Sequence, residues 1–248
     1  GGWCLVNIPA SLFEAYQFKD GTPFSYENKL YNPDNLGENR DPRLDYTIFY
    51  NASTFKGAVY DCHPDSDSPD KVAGGQTTQT GFMMRKYLDE NYSGDLNVYG
   101  GNVPIIRYAE VLLSYLEAEL EAGVPITKTL LDETINKVRG RASVNMPAIT
   151  ETNPDLLRPI LRNERRVELA MEGIRYWDLL RWGIADKVLN GYIFGAPFPG
   201  SKRTSPTPEG EVDKYGRWYV NKRAFRKDQD YKWPIPQSEQ DINPNLRN

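Results

Sequence analysis

Between Leu156 and Leu189 apolar residues recur at Val167, Ala170, Met171, Ile174, Trp177, Leu180 and Ile184, each three or four positions from another of the set. That is the period of a helix burying one stripe. The opposite face interleaves Arg162, Arg165 and Arg166 with Glu164, Glu168 and Glu172. That face is charged, and cross-turn ion pairs such as Arg165 with Glu168 are available on it, each contributing about 0.2–0.5 kcal/mol if exposed. Gly173 interrupts the run, and a mid-helix glycine costs about 1 kcal/mol relative to alanine. The pattern therefore predicts a long central helix broken near Gly173 that restarts near Tyr176, with Trp177 and Trp182 packed into a core.

A second helical period runs from Pro104 through Ile105, Ala109, Leu112, Leu116 and Leu120 to Gly123, and a third carries Leu131, Ile135, Val138 and Ala142. Joined by a short link, they predict a helical hairpin over 104–142 of the tetratricopeptide type. No echo of it at the usual spacing of about 34 residues occurs elsewhere, so this hairpin needs other neighbours to cover its apolar face.

The remaining segments are short or irregular. Ser11–Phe18 reads as a short helix capped by Ser11. Thr22–Asn39 reads as a surface loop carrying Phe24, Tyr26 and Tyr31. In NRDPRL the forks of Arg40 and Arg43 read as a structural clamp. Leu44–Phe49 is the strand candidate, and residues 51–79 form an irregular polar segment. After Leu189 the chain reads as loop, with Arg217–Val220 and Tyr231–Pro236 extended. There WPIP lies across the surface with Trp233 and Ile235 pinned into it.

Composition narrows the function classes. The chain has 248 residues, 39% of them hydrophobic, enough for one large or two small domains. Its 16 Tyr, 9 Phe and 5 Trp stand beside 18 Pro and 20 Gly, which points to long ordered loops with aromatic side chains suited to a binding surface. A formal charge of −4 argues against a nucleic-acid partner. No run of about eighteen apolar residues is present, and GGWCLVNIPA lacks the basic start of a secretory signal. Cys4 and Cys62 are left open between pairing and separate burial. Asp61, Asp65, Asp67 and Asp70 begin like a calcium loop but lack its glycine and its final glutamate, so they read as a solvated acidic loop and no metal or other cofactor is expected. His63 is the only histidine, which leaves no histidine pair for zinc.

ERRVELAMEGIRYWDLLRWG (Glu164–Gly183) resembles the signature helix of the SusD/RagB family of outer-membrane nutrient-binding lipoproteins. EAYQFKDGTP, NRDPRLDYTI, TGFMMRKYL, VPIIRYAEVLLSYLEAE, NKVRGRA and YKWPIPQSEQDINPNLRN are similar, in order, to that family's C-terminal half. The resemblance implies a mainly α, SusD-like fold with long irregular loops and a few short strands. Residues 1–102 would form a loop-rich ligand-binding part, 103–190 a helical part and 191–248 a loop-rich tail. It further implies a non-enzymatic, surface-exposed protein of the outer membrane that binds a polysaccharide or oligosaccharide and passes it to a SusC-like TonB-dependent transporter. The family's signal peptide, lipid-carrying cysteine and most helical repeats belong to an N-terminal half with no counterpart here, and that half is an expected partner of this one.

The shared motifs are structural, so ligand contacts have to be chosen physically. Trp3, beside a glycine pair, is the first candidate, followed by Tyr26, Tyr31, Phe55 and Tyr60 in the loops flanking LDYTIF. Two other classes stay open: a tetratricopeptide-type interaction scaffold, carried by the hairpin, and a glycoside hydrolase. The hydrolase needs two carboxylates at a set separation, and with 34 acidic residues a pair can always be drawn.

Overall fold

The computed structural model describes residues 6–74, 77–95 and 98–246. In chain order its helices are α1 (Ala10–Phe13), α2 (Arg43–Thr47), α3 (Tyr108–Glu121), α4 (Lys128–Glu133), α5 (Ile135–Arg139), α6 (Pro154–Glu168), α7 (Ile174–Arg181), α8 (Ala185–Val188) and α9 (Gln237–Ile242). Strands are short and all pairings antiparallel: β1 (Ile48–Phe49) with β4 (Met83–Met84), β2 (Thr54–Phe55) with β3 (Ala58–Val59), and β5 (Gly191–Pro197) with β6 (Arg217–Arg223). The architecture is mainly helical with long irregular connections. Among the described residues no helix is long and apolar enough to cross a membrane.

Helix α6 begins where Asn153 caps it, its side-chain oxygen accepting the backbone N–H of Asp155 at 2.9 Å, and Pro154 fills the first turn, where a missing donor costs nothing. Leu157 and Leu161 then enter an apolar cluster with Leu113 and Leu116 of α3, Leu131 of α4 and Ile135 of α5. Nearly two turns later Val167, followed by Ala170 beyond the helix end, joins a second cluster with Ile8, Phe13, Tyr16, Leu44 and Phe82. Each such side chain contributes about 1.5–3 kcal/mol on full burial. The helix is thus a wall shared by two cores.

The charged face of α6 is largely buried, and its pairs are not the cross-turn ones available on the helix itself. Glu164, Arg165 and Glu168 are 2%, 4% and 3% exposed. Their partners come from far along the chain. Glu164 accepts from Arg43 at 2.5 Å and Arg139 at 2.7 Å, so it is held from the α2 side and the α5 side at once. Arg43 also pairs with Asp41 at 2.6 Å and Glu168 at 2.9 Å, while Arg107 and Arg141 reach Glu168 at 2.6 and 2.9 Å. Arg165 turns the other way, to Asp178 at 3.1 Å. Buried charges persist only when compensated in this manner. The clamp expected of Arg40 and Arg43 is visible too, since Arg40 donates to the carbonyls of Phe13 and Tyr16 at 2.7 and 2.9 Å.

Helix α6 ends at Glu168, ahead of the glycine, because other residues satisfy its last carbonyls. Lys86 Nζ donates to the carbonyls of Glu168 and Ala170 at 3.2 and 2.8 Å, and Arg107 donates to that of Glu168 at 2.5 Å. The chain then turns through Met171 (φ 65°) and Gly173 (φ 78°), and α7 begins at Ile174. The turn resets the helical phase. The stripe that includes Trp177 therefore does not continue into a core: Asp178 and Leu179 are buried instead, and Trp177 is 55% exposed. Trp182 is half-buried, its indole N–H donating to Glu117 Oε1 at 2.5 Å.

Four other expectations need correction. Ser11 lies inside α1 and accepts from Arg166 rather than capping the helix. LDYTIF is mostly helical, because Pro42 adopts a helical φ/ψ and Asp41 accepts the Arg43 backbone N–H at 3.0 Å, leaving only Ile48–Phe49 extended. Residues 191–197, read as loop, form a strand whose Gly195 lets the backbone of Thr80 approach; a Cβ there would lie 2.1 Å from the Thr80 carbonyl oxygen. Helix α3 starts at Tyr108, four residues after Pro104, and the following helix is split at Thr134 into α4 and α5.

Candidate functional site

Tyr26 and Tyr31 do come together, in a knot of rings with Phe24 and Tyr215. Tyr26 stacks on Tyr215 at 4.5 Å and meets Phe24 and Tyr31 edge-on at 4.8 and 5.2 Å. The Arg40 guanidinium lies 4.0 Å from the Phe24 centroid and that of Arg217 lies 5.8 Å from Tyr26. The hydroxyls are committed as well. Tyr26 donates to Glu14 Oε1 at 3.0 Å and Tyr215 to Glu27 Oε1 at 2.9 Å, while Arg217 holds Glu14 at 2.9 Å and Asp213 at 2.7 Å. Burial, with the Glu14 carboxylate beside it, pushes the Tyr26 phenol far above its ordinary range. This knot ties the 22–39 loop to the 213–217 turn.

Phe55 and Tyr60 lie apart from it, both packed around Phe49 at 5.3 and 6.3 Å. Tyr60 is only 8% exposed, and its hydroxyl donates to the Gly81 carbonyl at 3.4 Å. Trp3 and Cys4 lie outside the described residues. Cys62 is a buried thiol that donates to the Gly81 carbonyl, and burial pushes it up to about 12. Asp65 accepts the backbone N–H groups of Lys202 and Arg203 at 2.7 and 3.0 Å, so it staples two loops together.

Open aromatic faces occur elsewhere, in α7 and the C-terminal tail. Trp233, which the extended WPIP stretch was expected to pin into the surface, is 70% exposed and stacks on Trp177 with ring centroids 6.0 Å apart and planes at 25°. Tyr176 meets Trp177 edge-on at 5.6 Å. Beside this pair lies an open cleft of about 800 Å³ lined by Tyr176, Phe225, Trp233, Pro234 and Ile235, with Arg226, Gln229 and Lys232 on its rim. The wall is anchored from below. Asn190 exchanges two hydrogen bonds with the Phe225 backbone (2.6 and 3.1 Å), and Tyr231 donates to Asp186 at 2.6 Å, a contact that lowers the Asp186 carboxyl. Arg226 grips Asp230 at 2.7 Å and holds its carboxyl below the ordinary range. The cleft thus offers flat apolar faces, with donors and acceptors on a fixed loop beside them. Sequence reasoning placed Trp177 in the core on periodicity. The two prolines around Ile235, which keep the tail out of regular structure, were the signal for exposure.

Comparison with known proteins identifies what this arrangement resembles. The model of the SusD family matches residues 1–248. Over 124 residues the chain is 32% identical to a SusD-like protein of Formosa agariphila, a stretch covering 48% of this chain and 24% of that protein. Over 91 residues it is 35% identical to a SusD-like protein of Bacteroides ovatus, covering 36% of this chain and 16% of that one. The crystal structure of a SusD-like carbohydrate-binding protein from Bacteroides fragilis superposes with a TM-score of 0.93 at 57% identity, over 100% of this chain and 49% of that chain. A second SusD-like structure from Bacteroides fragilis matches at 28% identity and a TM-score of 0.76, covering 98% of this chain and 46% of the other. The chain therefore spans about half the length of these solved structures, and its matches cover a quarter or less of the curated relatives.

Proposed function

Because the chain belongs to the SusD family, we propose that it supplies a glycan-binding surface for an outer-membrane nutrient-uptake protein, without catalysis of its own. The observation that carries this is the exposed Trp177–Trp233 stack at the edge of a cleft. A sugar ring has an apolar face that packs on an aromatic plane and hydroxyls that need donors and acceptors around it, and the rim residues Arg226, Gln229 and Lys232 are of that kind. The 57% identity to a Bacteroides fragilis protein described as carbohydrate-binding supports the same reading. In it the ligand surface draws on residues 174–236 rather than on residues 1–102. Tyr26, Tyr31, Phe55 and Tyr60 are then supports, and Trp3 stays a candidate contact.

A second surface fits protein rather than sugar. Ile105 is 93% exposed, and Tyr108, Val111 and Tyr115 on one side of α3 are 66%, 50% and 50% exposed. We assign it to packing against further helical repeats of a longer protein, with α3, α4 and α5 as a tetratricopeptide-type unit at the end of that series. That protein would be lipid-anchored at the cell surface and pass its ligand to a SusC-like TonB-dependent transporter.

The test is calorimetry against a panel of neutral and acidic polysaccharides. Trp233→Ala should weaken the bound member by about 1–3 kcal/mol, taking base–aromatic stacking as the nearest measured analogue. Failure of every glycan to bind, or binding of all of them unchanged by Trp233→Ala, overturns this reading. Release of new reducing ends, abolished by one Asp or Glu substitution, overturns the absence of catalysis.

A further inference from the structure

Next to the tryptophan cleft, on the other side of Tyr176, lies a separate cavity of about 330 Å³. Its floor is apolar, made by Leu12, Leu169, Leu179 and Leu189, yet three guanidiniums converge on it: Arg166 from α6, Arg175 from α7 and Arg223 from the end of β6. Elsewhere in this fold, three of the four buried arginines among the described residues meet carboxylates, and Arg40 is held by the Phe13 and Tyr16 carbonyls. Arg43, Arg139 and Arg165 each form an ion pair. Around this cavity the half-buried arginines do not. Arg166 donates to the Ser11 hydroxyl at 3.0 Å, Arg175 lies 5.7 Å from the Trp182 ring centroid, and Arg223 Nε is buried with no acceptor. The acids close enough to act on them are already engaged: Glu14 by Arg217 and Tyr26, and Asp178 by Arg165 and Arg181.

The electrostatics agree with the geometry. Burial, with Arg175 and Arg223 repelling it, lowers Arg166 to about 10, and burial lowers Arg175 as well, with Arg162 adding repulsion. A guanidinium whose charged form is disfavoured in this way is one that an arriving anion stabilises, and the planar fork suits the two oxygens of a carboxylate or sulfate. The volume lies at the lower end of small-molecule sites, room for one sugar residue rather than a chain.

We propose that this cavity receives the carboxylate or sulfate group of an acidic sugar residue, while adjacent residues of the same glycan lie across Tyr176 on the Trp177–Trp233 platform. The assignment rests on the glycan reading above and specifies its ligand class as an anionic polysaccharide.

The experiment is calorimetry on the whole chain with four probes: an oligogalacturonate, a sulfated oligosaccharide, a neutral oligosaccharide of equal length, and inorganic sulfate. One of the two acidic oligosaccharides should bind at least about tenfold tighter than the neutral one, as expected for charge-assisted contacts, and which of them does so tells carboxylate from sulfate. That advantage should shrink as salt rises and be largely lost in Arg223→Gln, with binding of the neutral oligosaccharide unchanged. If Arg223→Gln does not fold, Arg175→Gln replaces it. Equal affinity for acidic and neutral probes, or an advantage intact in both variants, overturns this inference and leaves the glycan reading standing. Inorganic sulfate binding as tightly as the acidic oligosaccharide overturns it by showing an anion site indifferent to sugar. Absence of binding by any oligosaccharide sinks both.

Discussion

Tyr26 and Trp233 both sit in proline- and glycine-rich stretches outside regular structure, and both belong to groups of clustered rings, but the two groups are built to opposite ends. Around Tyr26 the rings close on one another, Tyr215 stacked on it and Phe24 and Tyr31 edge-on to it, the Tyr26 and Tyr215 hydroxyls are consumed by Glu14 and Glu27, and two arginines cover what remains. Around Trp233 the planes lie nearly parallel and open to solvent, and hydrogen bonds occur behind the rings, where Asn190 and Asp186 hold the tail. The lesson is that aromatic richness in a loop does not mark a binding face. What marks it is where the polar bonds go.

Both regions hang from the α6–α7 segment, so the largest effect should remove them together. Burial alone would raise the Glu168 carboxyl, but Arg43, then Arg141 and Arg107, outweigh it and hold it at about 2 against an ordinary 4.5. Because the folded value is depressed, the stabilisation is fully present above about pH 4.5 and is lost as pH falls from there toward 2. The gap corresponds to about 3 kcal/mol. Chemical denaturation at pH 6 and pH 3 should show a loss of about 2 kcal/mol, the rest following as pH falls through 2, while equal stabilities at the two values would mean that the ion pairs are not formed.

Tyr26→Ala comes next and begins to separate the regions. It removes a stacked ring and leaves Glu14 short of a donor, so a loss of about 2–4 kcal/mol is expected in urea unfolding, with glycan affinity of the folded fraction unchanged. Trp233→Ala should do the reverse. Its ring is 70% exposed, so stability should move by less than about 1 kcal/mol while affinity falls by about 1–3, and the affinity lost should be the same at low and moderate salt. Trp177→Ala is expected to behave likewise, well short of the several kcal/mol that truncating a core tryptophan costs. A large drop in its thermal midpoint would show Trp177 to be structural after all. The smallest effect belongs to Lys214→Ala at the rim of the tyrosine knot. Lys214 and Glu27 form an exposed pair at 3.0 Å, screened by solvent, so a double-mutant cycle should show no measurable coupling.

Much of the helical content could be read from periodicity, since Leu116, Leu120, Leu131, Ile135 and Leu157 fill one core at the spacing a helix requires. What periodicity could not supply was the destination of the charged face of α6. Glu164 and Glu168 look like solvent residues until Arg43, Arg107, Arg139 and Arg141 arrive from other parts of the chain, and nothing local announces those arrivals. The same limit explains LDYTIF, where strand propensity lost to the helical turn set by Pro42 and Asp41. For the candidate site the chemical type of residue was legible and its location was not. Exposure of Trp177 depends on a turn at 169–173 whose geometry is imposed by Lys86 and Arg107, and the convergence of three arginines on one cavity needs α6, α7 and β6 assembled.

The finish of α6 also bears on how quickly this chain reaches its native state. A helix of 15 residues is among the most local structures a polypeptide can form, but the groups that complete its last turn lie 61 to 84 positions earlier in sequence. Its N-terminal turns can assemble within microseconds on Asn153 and the leucines. The carbonyls at its C-terminal end stay without these donors until the Lys86 and Arg107 segments have been brought across, a step governed by chain diffusion and loop-closure entropy. Amide protons of residues 165–169 should consequently gain protection later in refolding than those of residues 157–161, and simultaneous protection of the two sets would show that the helix end does not wait for its donors.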